Sequence, residues 1–81
     1  MEKWQVVGWR DVDFKDQQTG RQVSGTSLFL VRNPEDPKVV GLEVSKIFLA
    51  KGSVNYTPIK DQKIGINFNR YGKVQSIEPL G

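Results

Sequence analysis

The sequence predicts a small all-β domain, and three observations carry that expectation. Valine, isoleucine, threonine and aromatic residues recur in short runs. Glycine, proline, asparagine and aspartate interrupt those runs, and no segment carries a helical period. With 81 residues the chain has room for one core, because the fraction of surface that folding can bury shrinks as chains get shorter. A single β-barrel domain over residues 1–81 is expected.

The first run, Lys3 to Phe14, puts Trp4, Val6, Val12 and Phe14 on one parity and Val7 and Trp9 on the other. Gly8 sits at the changeover. A glycine inside a long strand predicts a bulge or bend, which lets both parities serve the interior of a curved sheet. "DQQTGRQ" then supplies a turn at Thr19 and Gly20, and "VSGTSLFLVRN" returns until Asn33-Pro34 ends it. Residues 3 to 33 form one long predicted hairpin.

"NPEDPK" is an acidic loop in which Pro34 and Pro37 cannot donate ladder hydrogen bonds. The third run, "VVGLEVSKIFLAKG", has Val40, Leu42 and Val44 in one phase and Ile47 and Leu49 in the other, so a second bend is expected near Ser45 and Lys46. "SVNYTPIKDQ" reads as a polar connector, irregular or with one turn of helix, in which Tyr56, Pro58 and Ile59 could pack. "KIGINFNR" alternates through Ile64, Ile66 and Phe68, and "KVQSIEPL" closes the chain, with Pro79 ending the ladder. Five strands with a long first hairpin, an interruption after the third and a final hairpin fit a five-stranded, partly open Greek-key barrel, the OB-fold plan. An SH3-like barrel is the alternative fold.

Composition narrows the function. The chain is 37% hydrophobic and 26% charged, in the range of soluble globular proteins. It has no cysteine and no histidine. That removes disulfides, thiolate chemistry and the usual neutral-pH base, and makes a transition-metal site an unfavourable expectation. No stretch approaches a membrane span of roughly 20 apolar residues, nor does the N-terminus read as a signal peptide, so a cytoplasmic location is expected. Asn55-Tyr56-Thr57 then matches a glycosylation sequon by composition alone. Asp11 and Asp13 share a strand face, as an acid–base pair or magnesium site would need, but no third ligand or nucleophile accompanies them. The glycines do not follow a nucleotide-binding spacing. No enzyme, no metal and no cofactor are expected.

What remains is cations among aromatics, on a chain with a net charge of +3. At the predicted last hairpin, Tyr71-Gly72 turns the chain and leaves an exposed ring between Arg70 and Lys73. A flat ring can stack on a base while flanking cations meet phosphates. The plain reading is a soluble hairpin tip lying against its neighbours. The pairing recurs at Trp9-Arg10, at Phe29 near Arg32, and at Phe48 between Lys46 and Lys51. Arg21 stands beside the first turn as a second basic tip. Trp9 and Phe48 also suit a core, and Phe14, Phe29 and Phe68 are expected inside it.

In size, in the long first hairpin "VVGWRDVDFKDQQTGRQVSGTSLFLV", in "VVGLEVSKIFLAKG" and in the closing "INFNRYGKVQSIEPL", the chain resembles the small OB-fold single-stranded-DNA-binding proteins of filamentous phages and related mobile elements. The likeness covers most of the chain and is architectural. It implies sequence-tolerant binding of single strands in phage or mobile-element DNA replication or transfer, in proteins that often form homodimers and bind cooperatively. By position it implies phosphate contact from Arg10, with Arg21 on the first loop and Arg70, Tyr71 and Lys73 on the last hairpin. The acidic "NPEDP" loop departs from a uniformly basic groove. The expected site therefore comprises Trp9, Arg10, Arg21, Arg32, Lys46, Phe48, Arg70, Tyr71 and Lys73, with single-stranded DNA as partner and RNA left open. A protein-binding small barrel that touches no nucleic acid is the alternative function. A duplex-DNA regulator ranks below both, for want of a recognition helix.

Overall fold

A computed structural model describes all 81 residues. It contains five strands and no helix: β1 (Glu2–Lys15), β2 (Gln22–Arg32), β3 (Glu43–Ala50), β4 (Lys63–Phe68) and β5 (Val74–Pro79). All pairings are antiparallel, in one sheet of order β3-β2-β1-β4-β5. Three strands joined in sequence, with the fourth returning beside the first, make a Greek key. A meander, which would place β4 beside β3, is excluded, and with it the SH3-like alternative. The sheet curls but does not close: β3 and β5 are its two edges.

Gly8 marks a bulge, as its place among changing parities predicts. The β1–β2 register shifts between Val6 and Gly8, so that Val6 pairs with Leu30, Gly8 with Phe29 and Trp9 with Leu28. Val7 is the extra residue. Before the bulge, β1 sends its even residues inward, and after it the odd ones. The interior gathers Trp4, Val6, Leu28, Leu30, Leu49, Ile64, Ile66 and Ile77. Each buried side chain of this kind contributes about 1.5–3 kcal/mol. The clean alternation of β4 through Ile64 and Ile66 is as expected, although a second register shift, between Asn67 and Phe68, precedes its final rung with Val74.

Two expectations fail. No bend interrupts β3, whose rungs with β2 run unbroken from Glu43 to Ala50. The strand begins only at Glu43, so Val40 and Leu42 lie outside it and their phase needs no reconciling. Phe14 and Phe29 are not core residues either. Once the bulge has reversed parity, Phe14 and its partner Val23 fall on the outer side, as do Phe29 and Gly8. Phe68 is half-buried against the core.

The ends of the barrel are finished differently. At one end Arg32 lies over the Trp4 ring, 4.1 Å from its centroid. Its Nε and Nη2 donate to Glu43 at 3.0 and 3.2 Å, and its Nη1 donates to Glu2 at 3.3 Å. The hydrogen bonds to Glu43 come first among the causes that hold this guanidinium above its ordinary pKa. At the other end the connector is irregular rather than helical. It extends the β1–β4 ladder: Val6 N–H donates to Gln62 O at 2.9 Å, and Asp61 N–H donates to Val6 O at 2.7 Å. Val54 and Tyr56 pack against the core from this connector, and the Tyr56 hydroxyl donates to Gln62 Oε1 at 2.7 Å. Neighbours reach only part of β1 and β2: β4 pairs with Glu2 to Gln5, and β3 covers β2 from Gly25 onward. Beyond those limits the first hairpin projects as a two-stranded arm, and the molecule is 44 Å in its longest dimension.

Burial raises the Tyr56 pKa above its ordinary value near 10. The folded state then holds the phenolic proton more tightly than the unfolded chain does. The stability this contributes is complete below the unfolded pKa and disappears as pH rises through the folded one. The urea midpoint is expected to fall as pH climbs above about 10, the ordinary tyrosine pKa. Tyr56→Phe should flatten that fall, measured by circular dichroism across an alkaline series.

Candidate nucleic-acid interface

Antiparallel partners directly opposite one another point to the same face. The ladders therefore assign every side chain of β1, β2 and β3 to the core side or the outer side. Going along the outer side, successive rungs read Gln5–Val31–Val44, Gly8–Phe29–Lys46, Arg10–Ser27–Phe48, Val12–Gly25–Ala50 and Phe14–Val23. Lys3 precedes them on the same parity. None of these residues is acidic. The carboxylates of these strands, Glu2, Asp11, Asp13 and Glu43, all fall on the opposite parity.

Two rungs form the centre of this face. Phe29 and Phe48 occupy diagonal positions on β2 and β3, with Arg10 level with Phe48 and Lys46 level with Phe29. Both rings lie near glycines. A Cβ on Gly8 would meet Phe29 Cδ2 at 3.4 Å, and one on Gly25 would meet Phe48 Cζ at 2.6 Å as well as the Leu49 carbonyl oxygen. Absence of a side chain at Gly25 is thus what lets the Phe48 ring lean across β2. Ser27, on the rung between Arg10 and Phe48, is buried. The Phe48 ring itself keeps 44% of its surface exposed.

Of the residues expected at the site, the sheet brings Arg10, Lys46 and Phe48 together. Trp9 stands on the other face, level with Leu28 and 40% exposed. Arg32 is engaged by Glu43, Glu2 and Trp4, so its cation serves the end of the core. Arg21 follows the arm's turn, where Asp16 Oδ1 accepts from Gln18 N–H at 2.8 Å and Gly20 takes φ 69°. Arg70, Tyr71 and Lys73 sit at the β4–β5 tip. There Asn69 Oδ1 accepts from the N–H groups of Tyr71 and Lys73 at 2.9 and 3.1 Å, and Gly72 takes φ 77°. Tyr71 is 73% exposed with the Arg70 guanidinium 5.2 Å from its ring centroid. These two tips flank opposite ends of β1, since Lys15 pairs with Gln22 and Glu2 with Ile66.

The sequence reading missed Lys3, Phe14 and Phe29 as members of the outer face. The parity reversal at Gly8, carried through to Phe14 and across to Phe29, was the signal that would have placed the two rings. On the core side of the arm, Asp11 and Asp13 line a shallow cleft of about 400 Å³ with Leu49, Val54 and Tyr56. Thr26 and Ser24 hydroxyls donate to Asp11 and Asp13 at 3.2 and 3.0 Å, and Gln22 also donates to Asp13. No three histidine, cysteine or acidic side chains are placed to share a metal ion. No helix is long and apolar enough to cross a membrane. No family model, curated protein or solved structure matches this chain.

Gly25→Ala would force the Phe48 ring off β2 and press on the β3 backbone. A loss of roughly 1–3 kcal/mol is expected, the usual cost of overpacking, read as a lower urea midpoint. Gly20→Ala provides the contrast: nothing lies within 4 Å of its Cβ position, so its cost comes from the positive φ of 69° alone.

Proposed function

We propose that this chain binds single-stranded nucleic acid without catalysis, along the outer face of β1, β2 and β3. The observation that carries the reading is the segregation on that face: Phe29 and Phe48 alternate with Arg10 and Lys46, and the acidic residues of the same strands are all on the other side. Phe48, 44% exposed, and the half-buried Phe29 beside it provide stacking surfaces for any base, and cations between them meet the phosphates. Barrels of this plan bind oligonucleotides on the β2–β3 face and through the loops after β1 and β4. In this chain those loops carry Arg21 and the Arg70, Tyr71, Lys73 group. A role in phage or mobile-element DNA replication or transfer rests on the architectural resemblance alone.

The alternative is a protein-binding barrel. Apolar exposure at Val40, Leu42 and Val44 favours it. The two differ in salt response, because phosphate contacts release counterions and apolar contacts do not.

Anisotropy of labelled oligo-dT, followed from low to high salt, tests the proposal. Each phosphate contact on a single strand lowers the log–log slope by about 0.7. Lys3, Arg10 and Lys46 alone predict a slope of about −2, and participation of Arg21, Arg70 and Lys73 predicts about −4. Phe48→Ala should weaken binding by about 1–3 kcal/mol, the worth of one stacked base. Arg10→Ala should make the slope shallower by about 0.7, while Asp11→Asn, on the other face, should not weaken binding. Tryptophan quenching is a poor readout, since Trp4 is buried and Trp9 faces away. Absence of binding at low salt would sink the proposal and leave the protein-binding reading.

A further inference from the structure

The edge of β3 is the least protected part of the sheet. One side of β3 pairs with β2 and the other pairs with nothing. The apolar side chains beside this edge are among the most exposed in the molecule: Val40 at 97%, Val44 at 74% and Leu42 at 57%. An exposed edge with contiguous apolar cover is a template for another strand. The other edge strand, β5, ends in Pro79, which cannot donate.

We propose that β3 pairs with β3 of a second copy of this chain, antiparallel about a two-fold axis at Ile47, joining the two sheets into one. The register follows from side-chain chemistry. A two-fold between strands keeps outer faces together, so the axis must pass through a residue position. Centred on Lys46, the pairing would set two lysines directly opposite each other, which is destabilising.

Centred on Ile47, every rung is compatible. Ile47 meets its own copy and Ser45 meets Leu49. Val44 meets Ala50, which covers its exposed side chain. Lys46 lies opposite Phe48 twice, so each ammonium can sit against a ring that is 44% exposed. Glu43 meets Lys51 just past the strand end, also twice. An isologous contact of this kind closes at two copies. It is a property of the edge alone and does not depend on nucleic-acid binding, although it would set the two Phe29–Phe48 faces side by side.

The chain has no cysteine, so an introduced thiol reports on its own neighbours only. Directly opposed residues in an antiparallel pair have Cα atoms about 4.5–5.5 Å apart, within disulfide reach. Under mild oxidation Ile47→Cys is expected to give a covalent dimer, and Lys46→Cys is expected to stay monomeric. Because Ile47 also packs against the core, an equimolar mixture of Val44→Cys and Ala50→Cys provides a second pair outside it. That mixture should cross-link where neither variant does alone. Sedimentation velocity of the unmodified chain should show a mass rising toward double with concentration, and Phe48→Lys, which opposes two lysines, should remove that rise. A monomer at every concentration overturns the proposal. So does preferential cross-linking of Lys46→Cys, which would mean a different register.

Discussion

The bulge at Val7 and Gly8 is the constraint on which the rest depends. A strand of 14 residues with strict alternation would send Trp4, Val6, Gly8 and Arg10 to one side. Arg10 would then be driven to the core side, onto the rung of Thr26 and Leu49. By inserting one residue, the bulge changes the parity after Val6, so that β1 supplies Trp4 and Val6 to the interior first and then turns Arg10, Val12 and Phe14 outward. It also adds local twist, and the same strand can thereby pair with β4 at its start and continue as the arm beside β2.

The division of charge follows from that change. Asp11 and Asp13 lie on the core side only because parity has reversed, and there they find the hydroxyls of Thr26 and Ser24 beyond the apolar core proper. Arg10 is sent outward by the same step. At the opposite end Arg32 lies on the core side with Glu2 and Glu43, where the acids satisfy a cation that would otherwise sit unpaired over Trp4. A net charge of +3 is therefore a poor description of what a ligand meets. One face presents cations and rings, and the other presents most of the strand carboxylates.

Much of this was legible in the sequence where the signal is local. The five strands, the bulge at Gly8, the alternation of Ile64 and Ile66, and the turn at Gly72 each depend on residues close in the chain. Phe14 and Phe29 were misplaced because hydrophobicity says that a ring favours cover, while the register with a distant partner decides which face it gets. The supposed bend in β3 arose from counting Val40 and Leu42 as strand residues; apolar character alone does not mark where pairing with β2 begins. Arg32 looked like a free cation because Glu2 and Glu43, which hold it, are remote in sequence. Lys46 and Phe48 were visible as a pair, but their companionship with Arg10 and Phe29 exists only across two ladders.

The open seam between β3 and β5 is consistent with a core that does not need closure. Ile77 on β5 and Leu49 on β3 are both buried without pairing of their strands. Cover comes instead from the curl of the sheet and from Val54 and Tyr56, which the connector lays against the core. The connector is held by the rungs from Asp61 and Gln62 to Val6, immediately before the bulge. The feature that separates the two faces of β1 thus lies beside the fastening that closes the end of the core. A substitution that removed the bulge would disturb both at once, since reversing the parity of β1 would exchange its charges between faces while shifting the register beside the Val6 rungs.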